Sequence, residues 1–183
     1  TPLEQSQITS PLILQLHYIN EIDQYGFTAL IRASTNNDIE QIRELLMNPN
    51  VSINASSQHG FTALMFAALY GHVECLKLLL AHRDIDVNQT NIHKKTALLY
   101  ASQFGHDECI LLLLSHKDID VSIKDALGKT AMMSAAFYGH ERSVAAFLYH
   151  NYHNFNLLSS SSVFTKSSKK MLPEQSFIDI NAV

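Results

Sequence analysis

Thr-Ala followed by an apolar residue occurs at Thr28, Thr62, Thr96 and Thr130, with a spacing of 34 residues each time. Self-similarity at a fixed period of this size marks a chain built from stacked units, and four copies in register leave little room for another architecture. Gly26, Gly60 and Gly128 stand two places before the threonine, with Lys94 in the third copy. Nine places after it comes a Gly-His pair at Gly71-His72, Gly105-His106 and Gly139-His140; the first copy has Asn37-Asp38 there.

Local chemistry divides each unit into two helices and a loop. Thr62 is a good N-cap and Ala63 a strong helix former, so a short helix starts there. Its buried face uses the small residues Ala63, Ala67 and Ala68 with Leu64, and Gly71 ends it in the left-handed conformation that glycine tolerates. A second helix begins near Val73. Leu76, Leu79 and Leu80 give it an apolar stripe, repeated as Ile110, Leu113 and Leu114 and as Val144, Phe147 and Leu148. Ile85 and Val87, like Val51 with Ile53 and Ile119 with Val121, alternate with polar residues and predict a brief extended arm leading into a projecting hairpin loop. A 34-residue unit lies below the roughly 40 residues at which an isolated core holds without staples. Stacking supplies the missing burial, so stability becomes a sum over units and interfaces.

Gly60, Phe61, Thr62, Ala63, Leu64, Ala67, Ala68, Gly71, His72, Glu74, Leu79, Leu80, Asp86, Val87 and Asn88 together resemble the ankyrin repeat. The resemblance covers about residues 20–150. It implies an all-α repeat solenoid of helix-turn-helix units with projecting hairpin loops, whose fingers and inner helices form a concave surface. Two departures stand out: the family's proline after the threonine is alanine in every copy, and its following histidine is Ile31, Met65, Leu99 or Met133.

The expected boundaries are a degenerate N-terminal repeat or cap at 1–25, and four repeats at about 26–59, 60–93, 94–127 and 128–150. A flexible Ser/Lys-rich insertion comes next at 151–176, then the start of a truncated arm at 177–183. Ile19 and Asn20 align with Ile53 and Asn54, and Phe177 to Asn181 resembles Asp84 to Asn88. The chain opens on Thr1 and stops in mid-phase, which reads as part of a longer chain.

Composition narrows the function classes. A net charge of -4 sets the long-range field against nucleic-acid phosphate and anionic membranes, so neither is expected as a partner. Apolar runs such as Cys109 to Leu114 fall far short of the roughly 20 residues that span a bilayer. Cys75 and Cys109 share one phase of successive units, which suits a reducing compartment, cytoplasm first, with nucleus or host cytosol also open. The pairs His72 with Cys75 and His106 with Cys109 have ligand-like helical spacing, but thiols on the apolar stripe act as small hydrophobes, so no metal and no cofactor is expected. No phosphate-cradling glycine loop, HExxH motif or nucleophile elbow occurs, and no catalytic residue is assigned.

The resemblance implies a protein partner met by positions that differ between copies. These are Gln58, His59, Phe61, Leu69 and Tyr70 in the second unit, and Ile92, His93, Lys95, Gln103 and Phe104 in the third. The fourth contributes Ala126, Leu127, Lys129, Phe137 and Tyr138. Tyr70, Phe104 and Tyr138 share one phase and predict an aromatic column that either anchors a partner or packs between units. His93, Lys94, Lys95, Lys124 and Lys129 make the neighbouring fingers basic, open either to an acidic partner segment or to solvent. Leu80, Asp86, Val87 and Asn88 also resemble the family's asparagine-hydroxylation pattern, with a hairpin-shaping role for Asn88 as the alternative. The function expected is a non-catalytic interaction module, scaffold or adaptor; the alternative is a regulatory or substrate-docking part of a larger enzyme or host-directed microbial effector.

Overall fold

The computed structural model describes the backbone of residues 19–160 and the side chains of residues 19–152. Eight helices come in pairs within that span: α1 (Ala29–Asn36) with α2 (Ile39–Leu46), and α3 (Ala63–Tyr70) with α4 (Val73–Leu80). They continue as α5 (Ala97–Phe104) with α6 (Asp107–Leu114), and α7 (Ala131–Phe137) with α8 (Glu141–Ser160). Among the described residues the extended pairing is limited to an isolated antiparallel bridge between Ser56 and Thr62, so the chain is an all-α repeat stack.

Each first helix starts where the repeat threonine stands. The side-chain oxygens of Thr28, Thr62, Thr96 and Thr130 accept the backbone N–H of Ile31, Met65, Leu99 and Met133 at 3.2 to 3.3 Å. A cap of this kind stabilises a helix by about 1 kcal/mol. The first helices pack on one another in series, and small buried residues make this possible: Ala67, Ala68, Ala101 and Ser102 are all fully buried. Leu76, Leu79, Ile110 and Leu113 of the second helices complete the core from the other side.

The turn between helices locks neighbouring units. The ring Nε2 of His106 donates to the Leu69 carbonyl at 3.0 Å, and that of His140 to the Gln103 carbonyl at 3.0 Å. A β-carbon at Gly71 would lie 2.6 Å from the His106 ring, and one at Gly105 would lie 2.5 Å from the His140 ring. Glycine is therefore required there by packing as well as by its positive φ. The first unit carries Asn37 at this position, with φ of 57. There His72 bonds differently, through Nδ1 to the Ser34 carbonyl at 2.9 Å.

Asparagines clamp the loops. Asn20 donates to the Asn50 carbonyl and accepts from Ser52 N–H; Asn54 bridges Asp84 and Asp86 in the same way, and Asn88 bridges Asp118 and Asp120, all at 2.6 to 2.9 Å. Asn20 thus serves the first loop as its aligned partners serve the next two. The arms expected to be extended run instead as successive turns, with Ile85 N–H bonded to the His82 carbonyl and Ile119 N–H to that of His116. The asparagine bridges hold those turns from the preceding unit, which leaves no strand pairing to form.

The expected ends change at the fourth unit. Helix α8 runs through Ser160, past the boundary expected near residue 150, because no glycine or proline interrupts Glu141 to Ser160. The first ten residues of the segment expected as a flexible insertion are therefore helical. Positions 152–154, which correspond to 118–120, lie in that helix, and Ser122 stands where the earlier units have their clamping asparagine. The rest of the insertion, the arm at 177–183 and residues 1–18 of the cap expected at 1–25 lie outside the described residues. Helix α7 keeps the stacking surface of its predecessors uncovered: Met133 is 55% exposed, against 1% for Met65 and Leu99 at the same phase.

Candidate functional site

Each finger is a tight turn built on one acceptor side chain. Asp23, Asn91 and Asp125 each accept two backbone N–H groups through Oδ1, from Tyr25 and Phe27, His93 and Lys95, and Leu127 and Lys129. Ser57 accepts the N–H of Phe61 through Oγ. Three residues further on, the backbone takes a positive φ at Gly26, Gly60, Lys94 and Gly128. Lys94 does so with φ of 56, in a region that disfavours any residue bearing a β-carbon. These anchors are chemically diverse, Asp, Ser, Asn and Asp, so their shared role is hidden from a search for identical residues; their spacing of 34 is the signal that finds them.

The fingers join along their tips. Ile92 N–H donates to the His59 carbonyl at 3.2 Å, Ala126 N–H to the His93 carbonyl at 3.0 Å, and the Gln58 amide to the Gln24 carbonyl at 3.2 Å. Gln58, His59, Ile92, His93, Ala126 and Leu127 are thereby brought together in an exposed row. Tyr25, one place before Gly26 and 63% exposed, belongs to the same row; its phase matches His59, His93 and Leu127.

Behind the tips the candidates separate by role. Phe61 is half-buried, its ring 5.1 Å from that of Phe66 and 5.4 Å from that of Tyr100, and Phe27 packs edge-on to Phe66 at 5.3 Å. Its place is in an aromatic cluster within the fold. Leu69 is also half-buried. Buried Tyr100 accepts from the Asn91 amide at 2.7 Å, tying finger to first helix. Its hydroxyl is held above its ordinary acidity range by burial. Lys95 donates to the Gln103 side chain at 2.5 Å, and the Lys129 ammonium sits 3.6 Å from the centre of the Phe137 ring.

Tyr70, Phe104 and Tyr138 are half-exposed at one phase of successive units. Each ring stacks on its own unit's histidine, His72, His106 or His140, at 5.6 to 6.4 Å. They form a row of separate aromatic steps, each resting on a histidine that is itself bonded to the preceding unit.

The remaining polar candidates have work inside the fold. Both Asn88 amide atoms are used in its bridge to Asp118 and Asp120. Cys75 and Cys109 are buried and unpaired, and burial pushes both thiols up to about 11, with Asp38 adding to the effect at Cys75 and Glu108 at Cys109. The Cys75 thiol donates to Asn37 Oδ1 at 3.2 Å. Among the described residues no three His, Cys, Asp or Glu side chains gather as a metal site would require.

With this geometry in view, the family model described as ankyrin repeats in three copies matches residues 4–91 and 86–158. The chain belongs to the ankyrin repeat family. Its first match begins well upstream of Gly26, and its second extends into the long last helix. No curated protein matches the sequence. Ankyrin repeats are generally protein-protein interaction modules and typically non-catalytic, which implies a protein partner for this ankyrin chain. No helix among its described residues is long and apolar enough to cross a membrane.

Proposed function

We propose that this ankyrin chain is a non-catalytic binding module, scaffold or adaptor, whose partner docks on the finger tips and on the face of the first helices carrying Tyr70, Phe104 and Tyr138. One observation carries the reading. Where Leu64, Leu98 and Phe147 are buried, these three rings stand half-exposed, each braced from behind by a bonded histidine. Rigid aromatics with limited freedom to lose are the usual anchors of an interface. Ile92 and Leu127 continue the exposed apolar surface onto the tips. The net charge of -4 disfavours nucleic acid or an anionic membrane as partner. Two buried, unpaired thiols fit a reducing compartment, and we assign the module to the cytoplasm.

The test is a pull-down from cytosolic extract with the wild type and with Tyr70→Ala combined with Phe104→Ala. Both side chains are half-exposed, so each truncation costs about 1 kcal/mol of stability and leaves the fold intact. Loss of the proteins captured by the wild type, with a cooperative melt retained, is the expected outcome. Unchanged capture by a folded double variant would remove these rings from the interface.

A further inference from the structure

The fingers of units three and four differ from the first two in charge. The phase held by Phe27 and Phe61 is held by Lys95 and Lys129, and Lys94 and Lys124 stand beside them. We propose that these two fingers dock an acidic peptide segment bearing apolar side chains, its carboxylates on Lys94, Lys124 and Lys129 and its apolar groups on Ile92 and Leu127. This rests on the reading of the finger and first-helix face as the binding face, and names the partner's chemistry.

Three observations carry it. First, four lysines share these two fingers with one carboxylate, Asp125, which is buried and occupied by two backbone N–H groups. The ion pairs among the described residues use Arg32, Lys77, Arg83 and Lys117 as cations, so none of the finger lysines is neutralised by one. Although the chain is acidic overall, its carboxylates lie elsewhere, as with Glu74 and Glu108 in the first turns of α4 and α6.

Second, apolar side chains are exposed on the same fingers, and two of the ammonium groups, of Lys95 and Lys129, lie over aromatic rings. Lys129 lies over the Phe137 ring, and Ile92 and Leu127 are 59% and 79% exposed. A segment of acidic and apolar residues meets both kinds of group at once. Third, Lys94 is exposed, makes no ion pair among the described residues, and occupies a left-handed position where the other three units have glycine. A β-carbon there costs about 1 kcal/mol, and a docking role accounts for a strained residue whose side chain is exposed.

A random peptide library displayed on phage is selected on the full chain and, in parallel, on a variant with Lys94→Gly, Lys124→Gln and Lys129→Gln. Clones recovered on the wild type are expected to be enriched in Asp and Glu together with Phe and Leu. Synthetic peptides from them should bind the triple variant about tenfold or more weakly, and lose affinity as salt shortens the screening length. The variant itself should melt no lower than the wild type, since Lys94→Gly relieves the strained turn. Enrichment without an acidic bias, sensitive to Tyr70→Ala with Phe104→Ala, overturns this inference and leaves the binding face standing. Recovery of no binding clones at all contradicts both.

Discussion

The glycine closing the first helix of units two and three, Gly71 and Gly105, serves two separable purposes, and substitution tells them apart. Gly105 and Gly139 share a positive φ, 68 and 75, so alanine at either site costs about 1 kcal/mol for the backbone alone. At Gly105 the new β-carbon also meets the His140 ring at 2.5 Å and displaces its bond to the Gln103 carbonyl; at Gly139 nothing lies within 4 Å. Urea denaturation should therefore rank Gly105→Ala below Gly139→Ala by a further 1 kcal/mol or about that. Equal losses would show that the histidine lock contributes nothing. The threonine caps and these glycines are readable from the sequence because the same residue type recurs at the repeat spacing, Thr in all four units and Gly in three. The finger anchors are not, because Asp23, Ser57, Asn91 and Asp125 reach the same backbone donors with different side chains.

Elements in this chain are bounded by their neighbours along the sequence as much as by their own propensity. Three successive loops are clamped by Asn20, Asn54 and Asn88, and each clamp joins a unit to the next through two bonds. Asn88→Ala should cost about 1 kcal/mol, since the freed Asp118 and Asp120 groups can turn to water. Ser122→Asn should leave the melting temperature unchanged, because positions 152–154 lie in α8 and present no loop to clamp. A gain from Ser122→Asn would mean that the fourth unit closes like the others. The sequence carries the signal for the long helix in the absence of Gly and Pro through Ser160; the weakening of the apolar stripe after Leu148 points the other way and sets the expected end too early. The arms depart from the extended form expected of them because Ile85 with Val87 alternate like a strand, while strand pairing needs a partner that the asparagine clamps displace.

At the scale of the molecule the repeat gives one face two textures. Units one and two fill the finger base with Phe27, Phe61 and Phe66, packed into the fold; units three and four place Lys95 and Lys129 at the phase of the first two and leave apolar tips beside them. The architecture is legible in the sequence because every unit must solve the same packing problem. The division of the candidate site is not, because periodic phase says where a residue stands and not how deeply its neighbours cover it. Phe61 and Tyr70 look alike in sequence, yet one is wedged between two rings and the other is 51% exposed. Hydrogen–deuterium exchange of the chain with and without a captured partner tests the central claim most directly. Partner-induced protection is expected in the fingers around 58–61 and 92–95 and at the ends of α3 and α5, with α4 and α6 unaffected. Protection confined to α4 and α6, with the fingers unchanged, would contradict it.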